Sequence, residues 1–296
     1  DAFRLEDGAA QRFENSAAGF RALRKWLGKA PVTRIVFEPT GPYHKAFEIA
    51  LGETFALVKV NPLQARRFAE AYGTRAKTDA VDARMLARMG AAFDLAPQKP
   101  NSKEARILRD LHVARTGLIK DRTRLRNRAQ THDIAVLKRQ TRARLAQVER
   151  QIAELDAEIA ALIEAQQTTA RSRDILCSMP GIGAVTAATM LILLPEIGTL
   201  ARKQVASLAG LAPITRQSGR WQGKAFIGGG RKPLRDALYM PALVAMRHNP
   251  DLKAKYQDLR AAGKPAKVAI VVVMRKLIEI ANALVKSDRV WEQKCP

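Results

Sequence analysis

Aromatic residues make up only 5% of this 296-residue chain, while 47% of it is hydrophobic. That balance argues against an aromatic-rich β-sandwich and for helices built on Ala, Leu and Ile. The chain has 2 cysteines, Cys177 and Cys295. They lie far apart with no CxxC spacing, which excludes a thiolate metal site and fits a reducing compartment. No signal-peptide pattern is visible, and no apolar run reaches membrane length: Val268–Leu277 is short and broken by Arg275 and Lys276. A GxxxxGK[ST] phosphate loop is also missing, so nothing points to ATP-driven chemistry. The histidines His44, His112, His132 and His248 are scattered and not at metal-ligand spacing.

Acidic residues are in deficit. Lys and Arg total 51 against 28 Asp and Glu, a formal net charge of +23. Such an excess suits a polyanionic partner, because Lys and Arg displace counterions from phosphates whatever the base sequence. Arginine dominates the basic set, and its planar fork grips phosphate at two points. A basic ribosome-associated factor fits the charge as well as an enzyme acting on DNA does. The length suits two compact domains plus a connector.

Residues 1–100 read as alternating α/β. Ala2–Leu5 and Ala10–Phe13 flank Glu6-Asp7-Gly8 as a hairpin; Asn15-Ser16 caps a helix to Leu27; Arg34–Phe37 is a strand; Pro42–Leu51 a helix; Phe55–Val60 a strand; and Pro62 opens a helix to Tyr72. Asp79–Ala92 is a helix with Val81, Met85, Leu86 and Met89 on one face. Pro97 and Pro100 mark a boundary. Beyond it, Leu108, Leu111, Leu118 and Leu125, then Leu145, Val148, Ile152, Leu155, Ile159 and Leu162, recur at spacings of three and four, a heptad seam. Thr131–Leu137 breaks the rhythm as the tip of a helical hairpin. The expectation for 101–168 is an antiparallel coiled coil rich in exposed arginine, serving as a connector, a spacer or a dimerisation arm. Residues 171–296 read as mostly helical, with Pro180-Gly181-Ile182-Gly183 between helices, a Gly/Arg-rich stretch over Gly210–Lys232, and helices around Leu234–Arg247 and Lys267–Val285.

Three constellations carry chemistry. Glu38 ends the strand Arg34–Phe37, and open α/β sheets place ligands at the carboxyl ends of strands. Asp79 and Asp82, three apart, share one face of a helix. Together these carboxylates suit Mg²⁺, a hard cation that retains water. The plainer alternatives are helix-start aspartates favoured by the dipole, and an ion pair between Glu38 and Arg84. His44, close after Glu38, can face the same site. The glycines Gly181 and Gly183 resemble a helix-hairpin-helix, whose backbone amides approach a phosphate, or an ordinary helix–helix turn. Ser218 sits between Arg216 and Arg220, with Lys224 following. A hydroxyl so placed can attack phosphorus beside arginines that stabilise the developing charge, or simply bind phosphate. Trp221 can stack on a base or anchor the loop, and Arg231, Lys232 and Arg235 carry the positive stretch into a helix start.

In combination, Val36-Phe37-Glu38-Pro39-Thr40-Gly41, then Lys77-Thr78-Asp79-Ala80-Val81-Asp82-Ala83-Arg84, then Gly210-Leu211-Ala212-Pro213, Gln217-Ser218-Gly219 and Gly230-Arg231 running into Leu234-Arg235 resemble the insertion-sequence-110-type transposases. That family, also called the DEDD transposases, includes the pilin-gene invertases. The resemblance covers nearly the whole chain. It implies an α/β RNase H-like (RuvC-type) N-terminal domain over 1–100, a coiled-coil connector over 101–168, and a mostly α-helical transposase domain over 171–296 carrying a catalytic serine. By motif, Glu38, Asp79 and Asp82 match the second, third and fourth acidic metal ligands, and Ser218 the nucleophile. The nucleic-acid contacts fall to Lys77, Arg84, Gly181, Gly183, Arg216, Arg220, Lys224, Arg231 and Arg235. Mg²⁺ is the implied cofactor; donor and target DNA and a bridge RNA are the implied partners. The implied assembly is a dimer or tetramer in which the acidic domain of one subunit meets the serine domain of another, in a bacterial cytoplasm beside the nucleoid. One departure stands out. The family's first aspartate lies in a Gly-Ile-Asp-like motif on a central first strand, whereas Asp1-Ala2-Phe3-Arg4-Leu5 looks like the second strand. The first strand and its aspartate are expected to be absent from this sequence, and Asp1 is in the wrong place to replace it.

The leading expectation is therefore a site-specific, RNA-guided transposase using a metal-assisted serine. Two alternatives remain at this point: a junction resolvase or structure-selective nuclease in which water attacks, and a non-catalytic nucleic-acid scaffold.

Overall fold

The computed structural model describes residues 1–39, 41, 43–74, 76, 78–98 and 102–292. Thr40, Pro42, Lys77, Pro100 and Cys295, named above, lie outside the described residues. The chain divides into two compact units, Asp1–Ser102 and Lys103–Pro296.

The first unit is α/β. Strands β1 (Ala2–Phe3) and β2 (Ala10–Gln11) form an antiparallel hairpin closed by Arg4, which pairs with Asp7 in the turn. Helix α1 (Ala17–Leu27) starts where Ser16 accepts a hydrogen bond from the Gly19 amide. Strand β3 (Ile35–Phe37) and β4 (Leu57–Lys59) pair in parallel, with α2 (His44–Leu51) as their crossover. Helix α3 (Pro62–Ala71) is capped by Asn61 with Pro62 in its first turn, and α4 (Asp79–Ala92) by Thr78, whose hydroxyl accepts from the Val81 amide. The two strand pairs are separate sheets.

Alternation along β3 and β4 divides the core. Ile35, Phe37 and Leu57 turn to one side and pack with Leu23, Trp26, Phe47 and Leu51 of α1 and α2. Val36, Val58 and Val60 turn to the other and pack with Phe68, Leu86 and Met89 of α3 and α4. Covered on both faces, these strands are apolar except for Lys59, which ends β4 and pairs with Glu48. A Cβ on Gly90 would lie 2.6 Å from the Val36 side chain, so only glycine lets α4 sit this close to β3.

The second unit begins with two long helices, α5 (Lys103–Gln130) and α6 (Ala135–Glu164), joined by a four-residue turn. Arg115 pairs with Asp156 and Arg126 with Glu149, a register that requires antiparallel helices. Apolar residues line the seam, and at its base Leu108, Ile159 and Ile163 pack against Ile192. Helices α7 (Gln167–Cys177), α8 (Ala184–Leu193), α9 (Arg202–Leu208), α10 (Lys232–Ala237), α11 (Tyr239–His248), α12 (Pro250–Ala261) and α13 (Ala266–Lys286) follow. The buried face of α13 (Val273, Met274, Leu277, Ile278, Ala281) anchors the main core. The single helix expected around Leu234–Arg247 is two, broken at Leu238. Pro241 cannot donate a backbone hydrogen bond, and it is accommodated only near a helix start.

The Gly/Arg-rich stretch is not the loop that sequence suggested. It folds as nested antiparallel pairs: β5 (Pro213–Ile214) with β8 (Phe226–Ile227), and inside them β6 (Gln217–Ser218) with β7 (Trp221–Gln222). None of the described helices is long and apolar enough to cross a membrane.

Candidate functional site

Ser218 is the last residue of β6, opposite Trp221, so Gly219 and Arg220 form a two-residue turn. Gly219 has φ +55° and Arg220 has no positive φ, the type II′ pattern that suits the twist of paired strands. The serine is exposed, as are Arg216, Arg220 and Lys224. The position matters because a hairpin fixes the Ser218 backbone by cross-strand bonds, which a free loop does not. Beneath it, the Gly223 amide donates to the Arg216 carbonyl at 2.9 Å. The Trp221 ring folds over Gly223, where an added Cβ would lie 2.4 Å from it. Trp221 is 60% exposed. The Arg216 guanidinium lies 4.8 Å from the Phe226 ring centre, which holds its plane while leaving its edge for phosphate. Gly223 and Phe226 were not singled out from sequence. The nearest signal was a glycine two residues after a tryptophan in a Gly/Arg-rich stretch.

Arg231 and Arg235, expected on nucleic acid, have other partners here. Arg231 grips Glu196 through two 2.6 Å bonds and donates to the Leu193 carbonyl. That guanidinium holds the Glu196 carboxyl below the usual range. Arg235 donates to the carbonyls of Gly229, at 2.9 Å, and Gly210. Both tie the base of the hairpin to the helical core. Gly181 (φ +99°) is likewise pressed on α11, with the Pro241 carbonyl 2.6 Å from where a Cβ would be. Gly183, at the start of α8, has open space around it.

In the first unit, α4 runs antiparallel to β3. Arg34, just before β3, donates to the Leu95 carbonyl beyond the end of α4, and Gly90 lies over Val36. The first turn of α4 therefore lies toward the carboxyl end of β3, where Glu38 follows Val36 on the same side by alternation. Eight residues of helix from Gly90 to Asp82 span about 12 Å, and two of strand from Val36 to Glu38 about 6.6 Å. Asp82 thus projects roughly 5 Å beyond Glu38 and Asp79 roughly 10 Å along the axis. Among the described residues, no three His, Cys, Asp or Glu side chains close into a metal-binding group. Glu38 and Asp82 are partly buried, and Asp79 is exposed.

Arg84 does not serve Glu38 as its sequence neighbourhood allowed; it stacks over Phe3 of β1, 5.4 Å from the ring centre. His44 Nδ1 is 2.7 Å from the Gly41 carbonyl and its Nε2 3.6 Å from Glu48, whose other oxygen pairs with Lys59. The histidine is thereby held on the Phe37 side of the strands, away from the face that carries α4.

Two family models match the chain: one described as "Transposase" over residues 6–139, and one described as "Transposase IS116/IS110/IS902 family" over residues 173–257. The chain is 30% identical over 295 residues to a "Pilin gene-inverting protein" of Moraxella bovis, covering 95% of this chain and 90% of that one. The corresponding protein of Moraxella lacunata matches with the same identity and coverage. An uncharacterized protein of insertion element IS110 from Streptomyces coelicolor is 33% identical over 145 residues, 48% of this chain and 35% of that one. The matched regions take in the carboxyl end of β3, the start of α4, the helix-hairpin turn and the serine hairpin, and on these grounds the chain belongs to the IS110-type transposase family, which groups it with the pilin gene-inverting proteins.

Proposed function

We propose that this protein is a transposase-type DNA recombinase that cuts and rejoins strands through Ser218. The observation that carries the reading is the fixed, exposed hairpin serine with Arg216, Arg220 and Lys224 around it. In this reading the Ser218 oxygen attacks a phosphodiester phosphorus. The Ser–O–P bond forms, the P–O bond to one DNA strand breaks, and the departing strand oxygen ends protonated. Arg216 and Arg220 face the charge that builds on the non-bridging oxygens. The phosphoserine keeps the bond energy, so a hydroxyl from a second strand can displace Ser218 and reseal the chain without ATP.

The first unit supplies carboxylates, read here as part of an RNase H-like (RuvC-type) fold in support of which stand the parallel β3–β4 pair, the antiparallel β1–β2 pair and α4 packed on β3. Glu38, Asp82 and, further out, Asp79 are read as lining one end of that sheet. Their spread suits a hydrated Mg²⁺ held partly through water better than a fully dehydrated ion. Such an ion, when bound, neutralises phosphate charge. The chain's own part is to hold Glu38 and Asp82 at the mouth of the strands. The α5–α6 pair is read as an antiparallel coiled coil, and the assembly as an even-numbered oligomer in which one subunit's carboxylates meet another's serine. Guidance by a bridge RNA is part of the same reading, and the +23 charge supports it.

The test is to incubate the protein with a nicked duplex of element-end sequence and look for a covalent protein–DNA adduct. An adduct lost in Ser218→Ala supports the serine reading. Cleavage without an adduct, retained in Ser218→Ala, replaces it with a water-dependent nuclease or junction resolvase. Cleavage unchanged in Glu38→Gln and Asp82→Asn removes the carboxylates from the chemistry. Recombination between two plasmids, with and without the element-end RNA, tests the guide.

A further inference from the structure

The long helix pair does not carry its charge evenly. Over residues 120–144, the distal ends of α5 and α6 and their turn, nine Lys or Arg stand against two Asp. Over the remaining 103–119 and 145–164, five Lys or Arg stand against seven Asp or Glu. The proximal half is balanced and the distal part strongly positive. Of the nine, Lys120, Arg124, Arg126, Arg128, Lys138, Arg139, Arg142 and Arg144 are exposed. They project on several sides of the pair, because Lys120, Arg122, Arg124, Arg126 and Arg128 alternate along α5 rather than falling on one face.

The distal part is also weakly packed. The described seam there holds Leu125 and Thr141, whose hydroxyl is 3.0 Å from His132 Nδ1, in place of the Leu108, Ile159 and Ile163 cluster at the base. At the very end, Ile134, Val136 and Leu137 are 62%, 41% and 36% exposed. A concentration of like charge around a thin polar seam weakens the helix pair on its own. Arg126 is paired with Glu149 and Arg124 with Asp121, and a polyanion would offset the charge that remains.

We infer that the distal end of the α5–α6 arm is a docking surface for duplex DNA, gripping the phosphate backbone away from the serine hairpin. DNA is chosen because the chain belongs to a family of DNA-recombining enzymes and because the cluster's sign fits phosphate. A helix of 28 residues is about 42 Å long. An arm of that reach can hold duplex flanking the reacting site, and so fix the DNA's path through an assembly. The inference rests on the recombinase reading, though not on the identity of the nucleophile.

The experiment uses the full chain carrying Lys120→Gln, Arg128→Gln, Arg139→Gln and Arg142→Gln, exposed positions outside the described seam. Binding to a 40-base-pair duplex of ordinary sequence is measured between 50 and 300 mM salt. With four phosphates no longer neutralised by the arm, the slope of log affinity against log salt falls by about 3.6, and binding at 150 mM salt weakens at least tenfold. Unchanged circular dichroism and a melting temperature no lower than that of the wild type show that the fold is retained, and Ile134→Ser with Val136→Ser in the same chain is expected to weaken binding without altering the slope. Equal affinity and slope in wild type and quadruple variant overturn the proposal. So does a loss confined to an RNA duplex of the same length, which makes the arm an RNA grip. A change in oligomeric state with DNA binding intact also overturns it, making the arm a contact between copies. Failure of the wild type to bind any duplex instead defeats the recombinase reading itself.

Discussion

Gly223 illustrates how much of the candidate site depends on atoms that do no chemistry. A methyl group there would meet both the Trp221 ring, at 2.4 Å, and the Arg216 carbonyl, at 2.9 Å. Gly223→Ala must therefore swing the tryptophan away or open the hairpin under Ser218. The expected result is a tenfold or greater loss of strand cleavage with a melting temperature within a few degrees of wild type, since the hairpin lies outside the main core. Equal cleavage in the variant would show that the geometry of Trp221 does not matter. Arg231 belongs to the opposite class. Removing its two bonds to Glu196 and one to Leu193, in a pair about one-third exposed, is expected to cost about 2 kcal/mol of stability in denaturant titration. Glu196 is held below its ordinary value of 4.5 by Arg231. Glu279, against the pull of its own burial, is held below 4.5 by bonds to Arg275 and Arg202. A carboxyl with a lowered folded pKa contributes stability that is complete above the unfolded value and disappears as pH falls through the folded one. Unfolding free energy measured from pH 6 to pH 3 should therefore drop below about pH 4.5, less steeply in Arg231→Ala.

At the scale of elements, the clearest test lies in the helix pair. Ile163, 1% exposed, packs with Leu108, Ile159 and Ile192. Ile163→Ala is expected to cost about 3 kcal/mol in urea unfolding. His112, 9% exposed in α5, has its pKa lowered by burial and by the neighbouring Arg115 and Arg109. The unfolded histidine takes up a proton near 6.5 while the folded one resists it, so the helix pair loses stability as pH falls below that value. His112→Gln should flatten this acid limb between pH 7 and 5.5. In the first unit, Thr78→Ala removes the cap of α4 and is expected to cost about 1 kcal/mol. If Asp79 and Asp82 must be held at the helix start, the same variant lowers metal-dependent cleavage as well.

At the scale of the whole molecule, the acidic residues and the serine belong to different compact units. The proposed sharing of one active site between subunits has a testable consequence. Asp82→Asn and Ser218→Ala, each inactive alone, should recover cleavage when co-expressed, because a mixed pair forms one site with both groups intact. Absence of recovery, with mixed oligomers demonstrated by differential tagging, would place both groups in one chain.

Local signals determined the elements. Ser16 and Pro62 announced helix starts, Glu6-Asp7-Gly8 a hairpin, and the three-four spacing of Leu and Ile the long helices, because caps, turns and apolar periodicity act over a few residues; the caps Asn61 and Thr78 came to light only in the structure. Motif order and charge were likewise sufficient for the family. Only tertiary structure decided what those residues face. It committed Arg231, Arg235 and Gly181 to the fold, turned the stretch around Ser218 from an expected loop into a hairpin seated on Gly223, and laid α4 on β3 at Gly90. An arginine's partner or a carboxylate's neighbour is set by elements far away in the chain, and side chains of the same type read alike in sequence whether they meet phosphate, a carbonyl or another residue's carboxyl.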